Sequence, residues 1–295
     1  MSTIAVIGLS GSLGKPVLDA LSSSVFADRI AYPIKALTRK DDKTSTDKVQ
    51  YIQADLANTS AVAEALKGID VIIELTTANP VLFGQVEKIV AVVKPKLVIP
   101  SQFGIELEPV QEVAPGFFVI KLEHSANLRK LGVKVVDIAT GFFAEKSSYS
   151  YEIVQPYGID PASNTVIQYG PDDTKVSIST VTDIGNVIAS VATDPNSSRL
   201  PDSLKVQSEI VPVKKVWETY EKNHNVKLEH TAKKSAAEAK AEFKHLWETE
   251  GFVPAKFLHY LGYIIAQGAD NGALFSENDR ELVNPGEKYW KWGSY

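Results

Sequence analysis

Two stretches of the chain carry residue types and spacings suited to a phosphorylated ligand. The first is Gly8-Leu9-Ser10-Gly11-Ser12-Leu13-Gly14, three glycines set three apart directly after the apolar run Ile4-Ala5-Val6-Ile7. Gly8 and Gly11 permit a tight strand-to-helix turn and close backbone approach, and Gly14 lets the next helix pack on the strand. The amides along Ser10, Ser12 and Leu13 then face a diphosphate at the helix start. The spacing is G-x-x-G-x-x-G, not the G-x-G-x-x-G dinucleotide fingerprint. It is not a Walker loop either, because five residues separate Gly8 from Gly14 and Pro16 stands where a magnesium-binding Ser or Thr would be. Pro16 suits a first helical turn, where no N–H is needed. The second stretch is Thr38-Arg39-Lys40, with no carboxylate until Asp41. A carboxylate at this point grips the ribose 2′-hydroxyl of NAD, whereas Arg39 can fork onto a 2′-phosphate, so the sequence favours NADP(H). The bland alternatives are a plain tight turn and a solvated arginine. Position decides for the nucleotide: first strand, then loop, then helix.

The elements that must hold these residues alternate. Strand-like runs cover 3–7, 33–38, 49–53, 71–75, 96–99 and 133–139, and helical spacing appears over 13–21, 60–67, 81–93 and 124–131. The run Val71–Leu75 is nearly all apolar, as a strand covered on both faces should be. Repeated strand–helix–strand units predict an α/β fold with a Rossmann-type, doubly wound parallel sheet and right-handed crossovers. The glycine loop then lies at the carboxyl ends of the strands, where such sheets bind ligands. After Gly141 the pattern loosens: 155–169 is rich in Pro, Gly, Asn and Tyr, and helices are predicted over 182–191, 214–221 and 232–247. We expect a nucleotide-binding domain over residues 1–145 and a smaller, loop-rich C-terminal substrate domain over 146–295, with the stretch around 175–195 returning to the first.

Composition narrows the functions. The 295 residues are 44% hydrophobic and 23% charged, enough to bury a sizeable core. A net charge of −5 argues against nucleic acid as a direct partner. The absence of cysteine excludes zinc–thiolate sites and thiol nucleophiles. His224, His230, His245 and His259 lack metal-ligand spacing, so no metal is expected, and no G-x-S-x-G elbow is present. No leader or membrane-length apolar run is evident, which points to a cytoplasmic protein with no membrane partner.

The segment Val98-Ile99-Pro100-Ser101-Gln102-Phe103-Gly104 resembles the PS-x-FG motif of the NmrA-like and isoflavone reductase-like group of atypical short-chain dehydrogenases, which includes the phenylcoumaran benzylic ether reductases. Other matches follow in order: the glycine loop, Thr38-Arg39, Ala54-Asp55-Leu56, Leu66–Ile73, Lys121 ahead of Gly132, Gly141-Phe142-Phe143 and Val181–Gly185. The resemblance implies an NADP(H)-binding Rossmann domain closed by a smaller domain over a substrate cleft. It carries over Gly8, Gly11 and Gly14 as phosphate-loop residues and Arg39 as the 2′-phosphate contact. It places Thr76 and Thr77 near the cofactor and Phe103 beside nicotinamide or substrate, and it makes Lys121 the catalytic lysine. Two departures stand out: Gln102 replaces the motif's usual Glu, and the chain beyond about residue 220 matches less.

The ordinary short-chain dehydrogenase relay, Tyr-x-x-x-Lys, is missing. No tyrosine has lysine four residues later, and Phe117 stands where the acid would be. An enzyme of this kind would rest on Lys121 as general acid or base, which requires its pKa to fall through burial. On the residues alone, Lys121 reads as an exposed lysine on the helix shoulder, and only the resemblance favours a catalytic role; His124, one turn on, reads as a surface histidine. Phe142 and Phe143 are candidates to wall an aromatic substrate, with core packing as the alternative. The leading expectation is an NADP(H)-dependent reductase of a small aromatic or phenolic substrate, with a homodimer left open. The rival is a non-catalytic dinucleotide sensor with a protein partner. A nucleotide-sugar epimerase ranks last for want of the Tyr-x-x-x-Lys.

Overall fold

The computed structural model describes residues 1–40 and 43–295; Asp41, cited above, lies outside them. A six-stranded parallel sheet forms the centre of the first half. Its strands are β1 (Ile4–Ile7), β2 (Ile34–Thr38), β3 (Val49–Gln53), β4 (Val71–Glu74), β5 (Leu97–Ile99) and β6 (Lys134–Val135). Their spatial order is β3-β2-β1-β4-β5-β6, with Ala5 opposite both Lys35 and Ile72. This is the Rossmann order, reversing direction between β1 and β4. Alternate residues feed two cores. Ile4, Val6, Ile73 and Ile99 face one side, and Ala5, Ile7, Ile72 and Val98 the other.

Helices α1 (Gly14–Ser22), α2 (Thr59–Ala65), α3 (Pro80–Val93) and α4 (Val119–Lys130) cover the sheet. Their starts follow local chemistry. The Asn58 side chain caps α2, and Asn79 caps α3 by accepting from the amides of Val81 at 2.9 Å and Leu82 at 3.2 Å, with Pro80 in the first turn. Helix α4 begins five residues earlier than periodicity suggests, which draws Lys121 into its first turn.

The second half contains β7 (Asp137–Ala139), β8 (Phe142–Ala144), β9 (Ile159–Asp160), β10 (Thr165–Tyr169), β11 (Lys175–Thr180), α5 (Val181–Thr193), β12 (Ser203–Lys205), β13 (Glu209–Pro212), α6 (Val213–His224), β14 (Glu229–Lys234), α7 (Ala236–Glu250) and α8 (Phe257–Ile265). Two expectations need correction. The single strand over 133–139 is two strands: β6 pairs with β5, and β7 pairs with β12. Pro100, which ends β5, has no N–H with which to extend the first ladder. The helix predicted over 232–247 starts later, because Ser235 and Glu238 form a capping box, and residues 229–234 instead pair in parallel with β10.

Helix α5 returns to the first sheet and lies against α1 so closely that a Cβ on Gly185 would fall 2.5 Å from the Pro16 carbonyl oxygen. The C-terminal tail runs back along α5, where the Gly293 amide donates to Asp183 at 2.9 Å and the Arg280 guanidinium sits 4.3 Å from the Trp292 ring. A separate core, built on Phe117, Tyr157, Phe243 and Tyr260, holds the second half together. Among the described residues, no helix is long and apolar enough to cross a membrane.

Candidate cofactor and proton-transfer site

The strand order reverses between β1 and β4, which stay paired as far as Ile7 and Glu74, and the glycine loop leaves β1 directly against Leu75 and Thr76. Gly8 has φ +91°, and a Cβ there would lie 2.6 Å from the Leu75 carbonyl carbon and 2.7 Å from the Thr76 nitrogen. Only glycine fits both the turn and the approach. A Cβ on Gly14 would meet the Leu9 carbonyl oxygen at 2.1 Å. A Cβ on Gly11 meets nothing closer than 3.9 Å, so its lack of a side chain keeps the outer face of the loop clear. Ser10, Gly11 and Ser12 are exposed. Among the described residues, no acceptor is hydrogen-bonded to the amides of Gly11, Ser12 or Leu13. No side chain caps α1, and its first turn carries no acid. The positive end of the helix is thus open and lined with donors, an arrangement that fits a diphosphate. Gly14→Ala should displace the Leu9 carbonyl and cost about 1–3 kcal/mol of stability, measurable by urea unfolding; an unchanged midpoint would show that the loop has slack.

Arg39 is exposed directly beyond β2, and its carbonyl accepts from the Gln53 side chain at 3.4 Å. Thr76 and Thr77 separate: Thr77 is exposed, whereas Thr76 is buried and its hydroxyl donates to Glu74 Oε1 at 2.6 Å. The Ser101 hydroxyl ties the ends of β4 and β5 together by donating to the Thr76 carbonyl at 2.7 Å.

Lys121 lies at the same edge of the sheet. Its Nζ donates to the Phe103 carbonyl at 3.4 Å, and Phe103 itself is packed in the first core. Lys121 is half-buried, with its amine turned in among protein groups. Burial lowers its pKa to about 8, against the opposing pull of the Glu74 and Asp137 carboxylates. Gln102 accounts for the position of the helix that carries it. The Gln102 amide donates to the Lys121 carbonyl at 2.5 Å and to the Ser125 hydroxyl at 2.7 Å, and Ser125 donates in turn to Asp137 at 2.7 Å. A glutamate at 102 would have no proton for either acceptor when ionised, so this departure from the motif has a structural reason.

Two further charged residues emerge that periodicity hid. Glu74 is fully buried at the end of β4, and His124, read above as a surface residue, is only 2% exposed. His124 Nε2 lies 2.8 Å from Glu74 Oε2 and Nδ1 lies 2.7 Å from Glu87 Oε1, while the ring stacks on Phe83 at 4.2 Å. Burial pushes the imidazole pKa down, but the hydrogen bonds and charges of Glu74 and then Glu87 outweigh it, so the net shift is upward. Both ring nitrogens face carboxylate oxygens, the arrangement in which an imidazolium donates to both. The available signal was the one carboxylate in an otherwise apolar strand, since a buried charge demands a partner. Because the folded pKa is raised, the stabilisation from His124 is complete below the unfolded value of about 6.5 and is lost as pH climbs through the folded value. His124→Gln should cost about 3 kcal/mol near pH 6, and urea unfolding should show the deficit shrinking towards pH 9. A deficit independent of pH would contradict the imidazolium.

The aromatic candidates divide. Phe142 points into the second core, 5.6 Å from Tyr157, while Phe143 is half-buried and meets Tyr149 at 5.7 Å. Phe117, at the place of the missing tyrosine, is 1% exposed and packs against Phe243 and Tyr260, far from any proton-transfer role. Among the described residues, no group of three or more histidines and carboxylates is arranged to hold a metal ion.

The fold recurs in known proteins. The chain is 26% identical over 241 residues to an isoflavone reductase homolog of Solanum tuberosum, an alignment spanning 77% of this chain and 76% of that one. It superposes on the crystal structure of an isoflavone reductase with a TM-score of 0.65 at 21% identity, covering 89% of this chain and 86% of the other. A similar match is the NADPH-dependent quinone oxidoreductase QOR2 of Escherichia coli complexed with NADPH, with a TM-score of 0.64 at 17% identity, covering 96% and 93%. The leucoanthocyanidin reductase–NADPH complex of Vitis vinifera gives 0.63 at 16% identity, covering 90% and 84%. The NmrA-like family matches residues 1–256. The Rossmann strand order, the open glycine loop and that match across most of the sequence lead to one assignment: this chain belongs to the NmrA-like family.

Proposed function

We propose that this protein is an NADP(H)-dependent oxidoreductase that reduces a small aromatic or phenolic substrate, with Lys121 moving the proton. The observation that carries the reading is that a lysine with a lowered pKa and a donor-lined, uncapped helix start occupy the same edge of one parallel sheet. The Gly8–Gly14 loop holds the diphosphate, Arg39 binds the 2′-phosphate, and the backbone at Thr76 and Thr77, together with Phe103, borders the nicotinamide side. When bound, the reduced nicotinamide supplies a hydride. Lys121, protonated below about pH 8, gives its proton to the oxygen that gains charge as the substrate is reduced. Phe103 and Phe143 border the cleft with apolar surface, which suits a ring and helps exclude water. The relatives that are reductases or bind NADPH support this assignment.

The test is NADPH oxidation by purified protein against a panel of aromatic enones, quinones and benzylic ethers. Turnover with at least one class is expected. Tight nucleotide binding with no turnover across the panel would promote the sensor reading, which the buried Phe117 in place of an acid tyrosine favours.

A further inference from the structure

The family match ends at residue 256, and the tail beyond it is rich in rings: Tyr289, Trp290, Trp292 and Tyr295. The tail reaches both cores. Tyr289 and Trp290 meet Phe26 of the first core at 6.1 and 6.4 Å. Asn284, fully buried, staples the turn before them by donating to the Trp290 carbonyl at 2.8 Å and accepting from the Tyr289 amide at 2.9 Å. Gly293 then passes so close to the start of α5 that a Cβ there would lie 2.8 Å from the Thr180 methyl carbon. Tyr295 crosses to the second core. Its amide donates to Glu209 at 2.9 Å, its ring lies 4.9 Å from Tyr151, and its hydroxyl donates to the Ser150 carbonyl at 2.7 Å.

That carbonyl belongs to a strained turn directly after β8. Ser147 and Ser150 hold φ at +65° and +63°, a left-handed backbone that residues other than glycine rarely adopt. Ser150 is 3% exposed, and its hydroxyl donates to the Phe143 carbonyl at 2.6 Å while accepting from Tyr157 at 2.6 Å. The same turn brings Tyr149 against the Phe143 ring. Among the described residues, Tyr295 is the one hydrogen-bond donor to the Ser150 carbonyl. Without it the peptide after Ser150 is free to turn over, and the left-handed strain favours that release.

We propose that Tyr295 is a positioning residue for the substrate: its hydroxyl fixes the turn over residues 145–151, and the turn holds Phe143 and Tyr149 as an aromatic wall of the cleft. This assignment rests on the reading of Phe143 as a cleft residue given above. Tyr295 acts through the turn and takes no part in hydride or proton transfer, so it governs how firmly an aromatic ring is held and not how fast the ring is reduced.

Tyr295→Phe keeps the ring and removes only the hydroxyl. Amide hydrogen exchange of the full-length protein, followed by mass spectrometry with no ligand present, reads the turn directly, because the amides of Glu145, Tyr151, Glu152 and Ile153 all bond within it. Loss of one hydrogen bond should speed their exchange by about 3- to 10-fold. Tyr263→Phe removes a comparable hydroxyl, bonded to Glu242 at 2.9 Å elsewhere in the second core, and should leave the turn unchanged. Unchanged exchange in Tyr295→Phe, or equal acceleration in Tyr263→Phe, overturns the proposal. With a panel compound that is turned over, Tyr295→Phe should raise KM by about 3- to 10-fold while kcat and NADPH affinity stay within about twofold. A KM that does not move, or a loss confined to kcat, contradicts a positioning role. Failure of the reductase reading looks different: wild-type protein binds NADPH but oxidises it with no panel compound, while exchange in the ligand-free turn still judges Tyr295.

Discussion

Lys121→Met should leave NADPH binding within about twofold and lower kcat by about 10²- to 10⁴-fold, the usual contribution of a placed general acid. Methionine keeps most of the apolar stem, so the packing of α4 survives while the proton is lost. Burial lowers the amine's pKa to about 8, and a proton donor works only as the ammonium. The rate in the reduction direction should be flat below that value and fall as pH rises through it, with kcat/KM reporting the free enzyme. In the oxidation direction the neutral amine is the active form, so the limb should invert. Steady-state assays from pH 6 to 10 in both directions check this. A variant with wild-type turnover would remove Lys121 from the mechanism, and an unbent profile to pH 10 would show that the amine is hydrated.

Arg39→Gln should weaken NADPH binding by about 10- to 100-fold while leaving NADH binding unchanged. A hydrogen bond to a charged group contributes about 1.5–3 kcal/mol, and each 1.4 kcal/mol corresponds to about a factor of ten. The effect should be confined to the phosphorylated cofactor if Arg39, exposed just beyond the end of β2, contacts the 2′-phosphate as proposed. Calorimetric titration of the variant with both cofactors is the measurement. Equal loss for NADPH and NADH would mean that Arg39 supports the loop and does not select a phosphate.

Much of the fold is legible because hydrophobic runs and turn residues repeat in register. The Ile4–Ile7 run, the glycines after it and the apolar β4 place the crevice before any coordinate is known. Boundaries are legible only where a local cap sets them, as at Asn79. They fail where partners decide. Nothing in Val133–Ala139 marks a strand that changes sheets, because the cause is Pro100 on the neighbouring strand. The start of α4 is equally hidden, since Phe118 enters it from φ +49° while packing against the second core.

Within the site, the glycines declare themselves because the backbone constraint is local. Glu74 and His124 do not, because their pairing spans fifty positions and three elements. Helical spacing assigned His124 to a face without saying what covers it. Gln102 shows the reverse: its departure from the family motif was visible, but its reason lies in two acceptors on α4.

The proposed chemistry requires a dinucleotide diphosphate seated at the start of α1 with its adenosine phosphate at Arg39. Calorimetric titration of the wild-type protein with NADPH and with NADH tests this most directly. One saturable site per chain, at least about tenfold tighter for NADPH, is the predicted result; no heat from either cofactor, or tighter binding of NADH, would contradict it.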